Sequence, residues 1–166
     1  PGVTTGLEPM LMTRGIAISE ARVIDPERYY WTDKATPAIS DYERHRVTRN
    51  LPMTFFPGVA ELSPLPRTKN TRNATTPLAF TSSSGVLELS SSSEGKRRAL
   101  AVLASNADKQ GNMIVVGDGD FATNSFYGAV GNGQFFLNMV SELLAHENFI
   151  IEFILIILFW FSIAHF

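Results

Sequence analysis

Residues 111–148 read GNMIVVGDGDFATNSFYGAVGNGQFFLNMVSELLAHEN, and their order decides the fold expected of the whole chain. An apolar segment suited to a buried strand (112–116) runs into an acidic, glycine-rich turn, Gly117-Asp118-Gly119-Asp120. A short aromatic segment follows, and then an amphipathic helix. That is the order of a strand ending at a site on an α/β sheet, where ligands gather at the carboxyl ends of the strands. The helix is expected to open at Gly131-Asn132-Gly133 with Asn132 as its N-cap. Phe135, Phe136, Met139, Val140, Leu143 and Leu144 form its apolar stripe, with Gln134, Asn138, Ser141 and Glu142 opposite.

Upstream of this segment, RALAVLA (98–104) is a second core strand, joined to 112–116 by a polar turn. Apolar on both faces, the two suit a central position in a covered sheet. Residues 5–14 place Leu7, Met10 and Leu11 at helical spacing, with Thr4 or Thr5 as cap, Pro9 in the first turn and Gly15 as stop. RVID (22–25) reads as a short strand closed by Asp25-Pro26. Residues 27–51 show neither period, and Tyr29, Tyr30, Trp31 and Tyr42 lie among polar residues. Such a stretch is an irregular crossover pinned by its aromatics, or a lid over the site. Residues 53–65 suggest a bent strand broken at Pro57-Gly58, and 77–82 another strand. Residues 66–76 form a polar connector, the chain is serine-rich from Ser82 onward, and Ser90 to Ser93 with Glu94-Gly95 form a flexible turn.

With 166 residues the chain holds one domain of ordinary size. Charged residues make up 18% and apolar ones 45%, part of that excess lying in the last eighteen positions. A net charge of -2 and basic residues without a stripe argue against a nucleic-acid partner. The clusters Arg44/Arg46/Arg49 and Lys96/Arg97/Arg98 read as solvated loop charge rather than as anion sites. With no cysteine, disulfides, thiolate metal sites and a cysteine nucleophile are all excluded. The chain opens at Pro1, without an initiator Met, and is taken as a piece of a longer protein.

Two carboxylates one residue apart, Asp118 and Asp120, can share a hard cation such as Mg²⁺ or Ca²⁺. No further acidic residue in the turn completes a cage. The plainer reading is that both accept backbone N–H groups and cap the segment after them. Glycines at 131 and 133 offer N–H groups to an anion, but no GxGxxG or Walker spacing accompanies them. His45, His146 and His165 have no helical metal spacing. A triad of His45, Asp118 and a serine lacks a G-x-S-x-G elbow for its nucleophile. The tail FIIEFILIILFWFSIAHF (149–166) spans about 27 Å as a helix, against roughly 30 Å of bilayer hydrocarbon. A helix apolar all round leaves no face for water, so a membrane span is expected there ahead of a core helix.

The ordered series of these residues resembles the extracytoplasmic domain of gliding-motility-type (GldG-like) auxiliary components of ABC transporters. The resemblance runs over most of residues 1–148. In that family a strand is followed by Gly-Asp-x-Asp-Phe-x-x-Asn, then Gly-Asn and a helix. Gly117, Asp118, Asp120, Phe121, Asn124, Gly131, Asn132 and Asn138 occupy those positions here, with Leu143-Leu144 in place of a tryptophan-leucine pair. Upstream, GLEPMLMTRGIAISEARVIDP, HRVT around His45, and PLAFTSSSG are also similar.

The resemblance implies an α/β fold: part of a flavodoxin-like or glutamine-amidotransferase-like doubly wound sheet, with a C-terminal hydrophobic helix. Residues 1–148 would be the C-terminal part of that domain and 149–166 a transmembrane helix. It implies a non-enzymatic binding or coupling component of a bacterial ABC-type transport system, held in the inner membrane and facing the periplasm or exterior. The partners would be permease and ATPase subunits and the membrane, with no cofactor. Asp118, Asp120, Asn124, Asn132 and His45 would form the ligand-binding site, covered by residues 27–51. The rival is a hydrolase or transferase using Asp118 and Asp120 with a divalent metal.

Overall fold

The computed structural model describes residues 5–66, 73–88, 94–106, 111–145 and 156–157. Its centre is the expected pair of core strands, β9 (Ala99–Asn106) and β10 (Met113–Val116). They run antiparallel, Met113 opposite Ala104 and Val116 opposite Ala101. β7 (Asn73–Phe80) pairs antiparallel with the other edge of β9, and β4 (Asp41–Tyr42) with β7. A short strand, β11 (Ile156–Ile157), adds parallel to β10 and completes a five-stranded sheet in the order β11-β10-β9-β7-β4.

Two three-stranded antiparallel sheets accompany it. β1 (Ile16–Ile24) lies between β6 (Ala60–Pro64) and β8 (Val86–Leu87). β3 (Asp33–Ile39) lies between β2 (Tyr29–Tyr30) and β5 (Thr54–Phe55). Among the described residues the α-helices are α1 (Glu8–Thr13) and α2 (Asn132–Ala145), with a 3-10 turn at Asp120–Ala122.

The expectation of a doubly wound, flavodoxin-like or amidotransferase-like sheet is therefore corrected to mostly antiparallel β-structure. The reason is connection length. A parallel neighbour needs a crossover of a dozen or more residues, and the link from Asn106 to Met113 is too short for one. The expected membrane helix over 149–166 is corrected as well. Among the described residues no helix is long and apolar enough to cross a membrane. The described piece of that stretch, Ile156–Ile157, is extended beside Val115 and Val116. β-Branched isoleucines suit a pleated surface. The placement in a bacterial inner membrane is withdrawn with the span, and the rest of the tail lies outside the described residues.

The central sheet is covered on both faces, as its composition predicted. Along β10, Ile114 and Val116 join one core with Phe56, Phe121, Phe135 and Met139. Met113 and Val115 join the other with Leu11, Ile16 and Leu62. Each such fully buried side chain contributes roughly 1.5–3 kcal/mol.

Several local readings shift. α1 begins at Glu8, whose carboxylate accepts both the N–H and the hydroxyl of Thr5, at 2.7 and 2.9 Å. Gly15, at φ +79°, ends it in a conformation that a side chain would resist. Residues 27–51 are not irregular throughout, since β2, β3 and β4 lie within them. The last four residues of β3 are all buried, which erases the alternation that would have marked a strand. Nor are Lys96, Arg97 and Arg98 all solvated. Arg98 is buried, donating to Glu61 Oε2 at 2.6 Å and to the Gly85 carbonyl at 2.8 Å. Arg97 forks onto Asp41 at 2.6 and 2.9 Å and holds that carboxyl below its usual range.

Candidate functional site

Asp118 follows β10 by one residue and is buried, 5% exposed. The backbone N–H of Asp120 donates to Oδ1 at 2.7 Å, and that of Phe121 to Oδ2 at 3.1 Å. These bonds tighten the chain into the 3-10 turn. The turn drops the Phe121 ring into the core, 5.6 Å from Phe56 and 6.1 Å from Phe135 between centroids. Burial pushes the Asp118 carboxyl up to about 8, against the backbone N–H groups that favour its charged form.

Asn132 is fully buried, and it is not the cap it was expected to be. Its Oδ1 accepts the N–H of Phe55 at 2.8 Å, while Nδ2 donates to the carbonyls of Phe55 at 3.0 Å and Phe121 at 3.1 Å. The amide thus pairs with β5 as a neighbouring strand would. Phe121 links the two site residues: its N–H meets Asp118 and its carbonyl meets Asn132.

Asp120 and Asn124 stand on the exposed side of the loop. His45 lies apart, in a turn on the Tyr42 side, where its Nδ1 accepts the Val47 N–H at 3.2 Å. Among the described residues no hydrogen bond joins His45 to Asp118, and no group of three His, Asp or Glu side chains is placed to hold a metal ion. His146 and His165 lie outside the described residues. Residues 27–51 reach the loop through Tyr30, whose ring centroid lies 6.0 Å from that of Phe126.

One polar centre escaped the sequence reading. Asp25, fully buried, accepts the N–H groups of Glu27, Arg28 and Ser82 and the Ser82 hydroxyl. The Asp-Pro signal marked the end of β1 correctly, but nothing local announces a partner 57 positions away.

The raised pKa of Asp118 makes the stability of the fold depend on pH. In the unfolded chain an aspartate titrates near ~3.9. Below that value both states are protonated and the contribution to stability is full. As pH rises towards 8 only the unfolded state ionises, and stability falls. Denaturant midpoints are expected to decline between pH 5 and pH 8 in the native chain, and the Asp118→Asn variant is expected to lack that part of the decline. Parallel pH profiles for the two proteins would contradict the assignment.

The geometry defines an antiparallel, β-rich domain whose most buried loop polar groups are engaged in shaping the loop. Among solved structures the chain is similar to one described as the mmIFT52 N-terminal domain, with a TM-score of 0.64 and 15% identity. The match covers 87% of this chain and 60% of that one, so the chain spans less than two thirds of its neighbour. At that identity the likeness shows the fold alone. No family model matches the chain, and no curated protein matches it. The resemblance to gliding-motility-type auxiliary proteins of ABC transporters is accordingly withdrawn: the solved neighbour is not such a component.

Proposed function

We propose that this chain is a non-enzymatic interaction domain, in which the acidic loop is kept for shape and a partner protein is held on the surface. One observation carries the reading. Both carboxylate oxygens of Asp118 accept backbone N–H groups inside the fold, so the group best placed for chemistry is already engaged. Burial adds to this, because a carboxyl that favours its neutral form is a weak ligand for a hard cation. The transporter assignment rested on the family resemblance and does not enter the proposal.

The competing reading is a divalent-metal hydrolase or transferase acting through Asp118 and Asp120. Thermal melts with and without Mg²⁺, Ca²⁺ or Mn²⁺ separate the two. A cation bound at a hundredfold excess over its Kd would stabilise the fold by about 2.7 kcal/mol. No shift is expected. A shift of that size, abolished by Asp120→Asn, would replace the interaction reading with the metal enzyme.

A further inference from the structure

We propose that the turn over residues 42–50 is an anion-binding pocket that docks an acidic peptide segment of a partner protein. The proposal rests on the interaction-domain reading and assigns it a surface. In sequence the arginines of this turn look like solvated charge. Folded, they line a concavity of about 830 Å³. Arg44, Arg46 and Arg49 contribute to its wall against one carboxylate, Glu43. Glu43 in turn lies in the field of Arg97. The chain as a whole carries -2, so this local excess runs against the global balance.

The wall is held in shape. Thr48 Oγ1 donates to the Glu43 carbonyl and accepts the His45 N–H at 3.2 Å. Asn138 Nδ2 donates to the Val47 carbonyl at 2.8 Å and fastens the turn to α2. From the same helix the buried carboxylate of Glu142 lies 3.6 Å from Nε of the exposed Arg46. Among the described residues neither Arg44 nor Arg49 has a carboxylate partner. Because His45 Nδ1 accepts the Val47 N–H, the neutral ring carries its proton on Nε2, a further donor in the pocket lining.

Guanidinium forks match carboxylates bidentately. A concavity of this size admits several residues of a peptide rather than a single oxyanion. A polynucleotide would need a longer basic track to follow its phosphates than the three arginines of this lining provide.

The test is a fluorescence-anisotropy titration of the full chain with labelled hexaglutamate at low and at high salt. Saturable binding that weakens with salt is expected. Arg44→Glu and Arg49→Glu should each weaken it about tenfold or more, with unchanged melting curves, while Lys34→Glu, outside the pocket lining, should leave it unaltered. Absence of binding at low salt, or equal binding by the arginine variants, would overturn the pocket. Inorganic phosphate displacing the peptide at equal charge concentration would overturn the peptide assignment, as would tighter binding of oligothymidylate. A failed titration without a divalent-cation shift removes this pocket alone, whereas a cation shift removes the interaction reading beneath it.

Discussion

Gly117→Ala is expected to cost about 3 kcal/mol or more, a large share of the roughly 5–15 kcal/mol that holds an ordinary domain together. A methyl group built on Gly117 would stand 2.1 Å from the Ala60 carbonyl oxygen. The obstacle is backbone, so no side-chain rotation relieves it. Nor can the two segments simply separate. Ala60 donates its N–H to the Gly117 carbonyl at 2.8 Å, and Gly117 donates its own to Leu100 at 2.9 Å. These bonds join β6 to the end of β10 and β9, so prying them apart would open the seam between two sheets. Gly128→Ala is the control, because nothing lies within 4 Å of a Cβ there. Urea unfolding of the three proteins decides the matter, and similar midpoints for both variants would refute the close approach.

Asn132→Ala should rank beside it. The substitution removes three hydrogen bonds at a fully buried position and strands the N–H and carbonyl of Phe55 together with the Phe121 carbonyl. A buried group left without its partner costs about 1–3 kcal/mol, so a total near or above ~3 kcal/mol is expected. Asn132→Asp should be no milder, since it turns a carboxylate oxygen towards two carbonyls. An Asn132→Asp variant as stable as the native chain at neutral pH would show that the amide is not doing what its geometry indicates.

Asp118 and Asn132 show where sequence reading succeeds and where it stops. The apolar runs of β9 and β10 were legible because burial on both faces leaves no polar position to confuse them. Their relative direction was not, since a two-sided apolar strand is equally at home in parallel and antiparallel surroundings. The short connection before Met113 was the clue that mattered. Asp118 was legible as an acceptor of turn N–H groups, because its partners lie two and three residues ahead. Asn132 was misassigned because its partner Phe55 is 77 positions away, and capping preference speaks only about neighbours.

The apolar stripe of α2 was legible at Phe135, Phe136, Met139 and Leu143, which join the core, but Glu142 was placed on the wrong face for a related reason. Asn132, Phe135, Met139 and Glu142 form the buried face, at steps of three, four and three. Leu137 and Leu144 are each 52% exposed. Residue polarity placed Glu142 outside, yet the buried face runs through Asn132, and helical spacing then carries Glu142 inward towards Arg46. The pocket arginines belong to the same class of hidden information: their spacing is visible, their concavity is not.

The pairing of a side-chain amide with β5 has one more effect, on behaviour between molecules. A two-residue strand with a bare margin is an invitation to aggregate, because its N–H and carbonyl can recruit a strand from another copy of the protein. Here Phe55 has both groups occupied by Asn132 before any neighbour arrives. The amide therefore acts as a guard against edge-to-edge polymerisation, and it does so without a proline or a lysine on the strand itself.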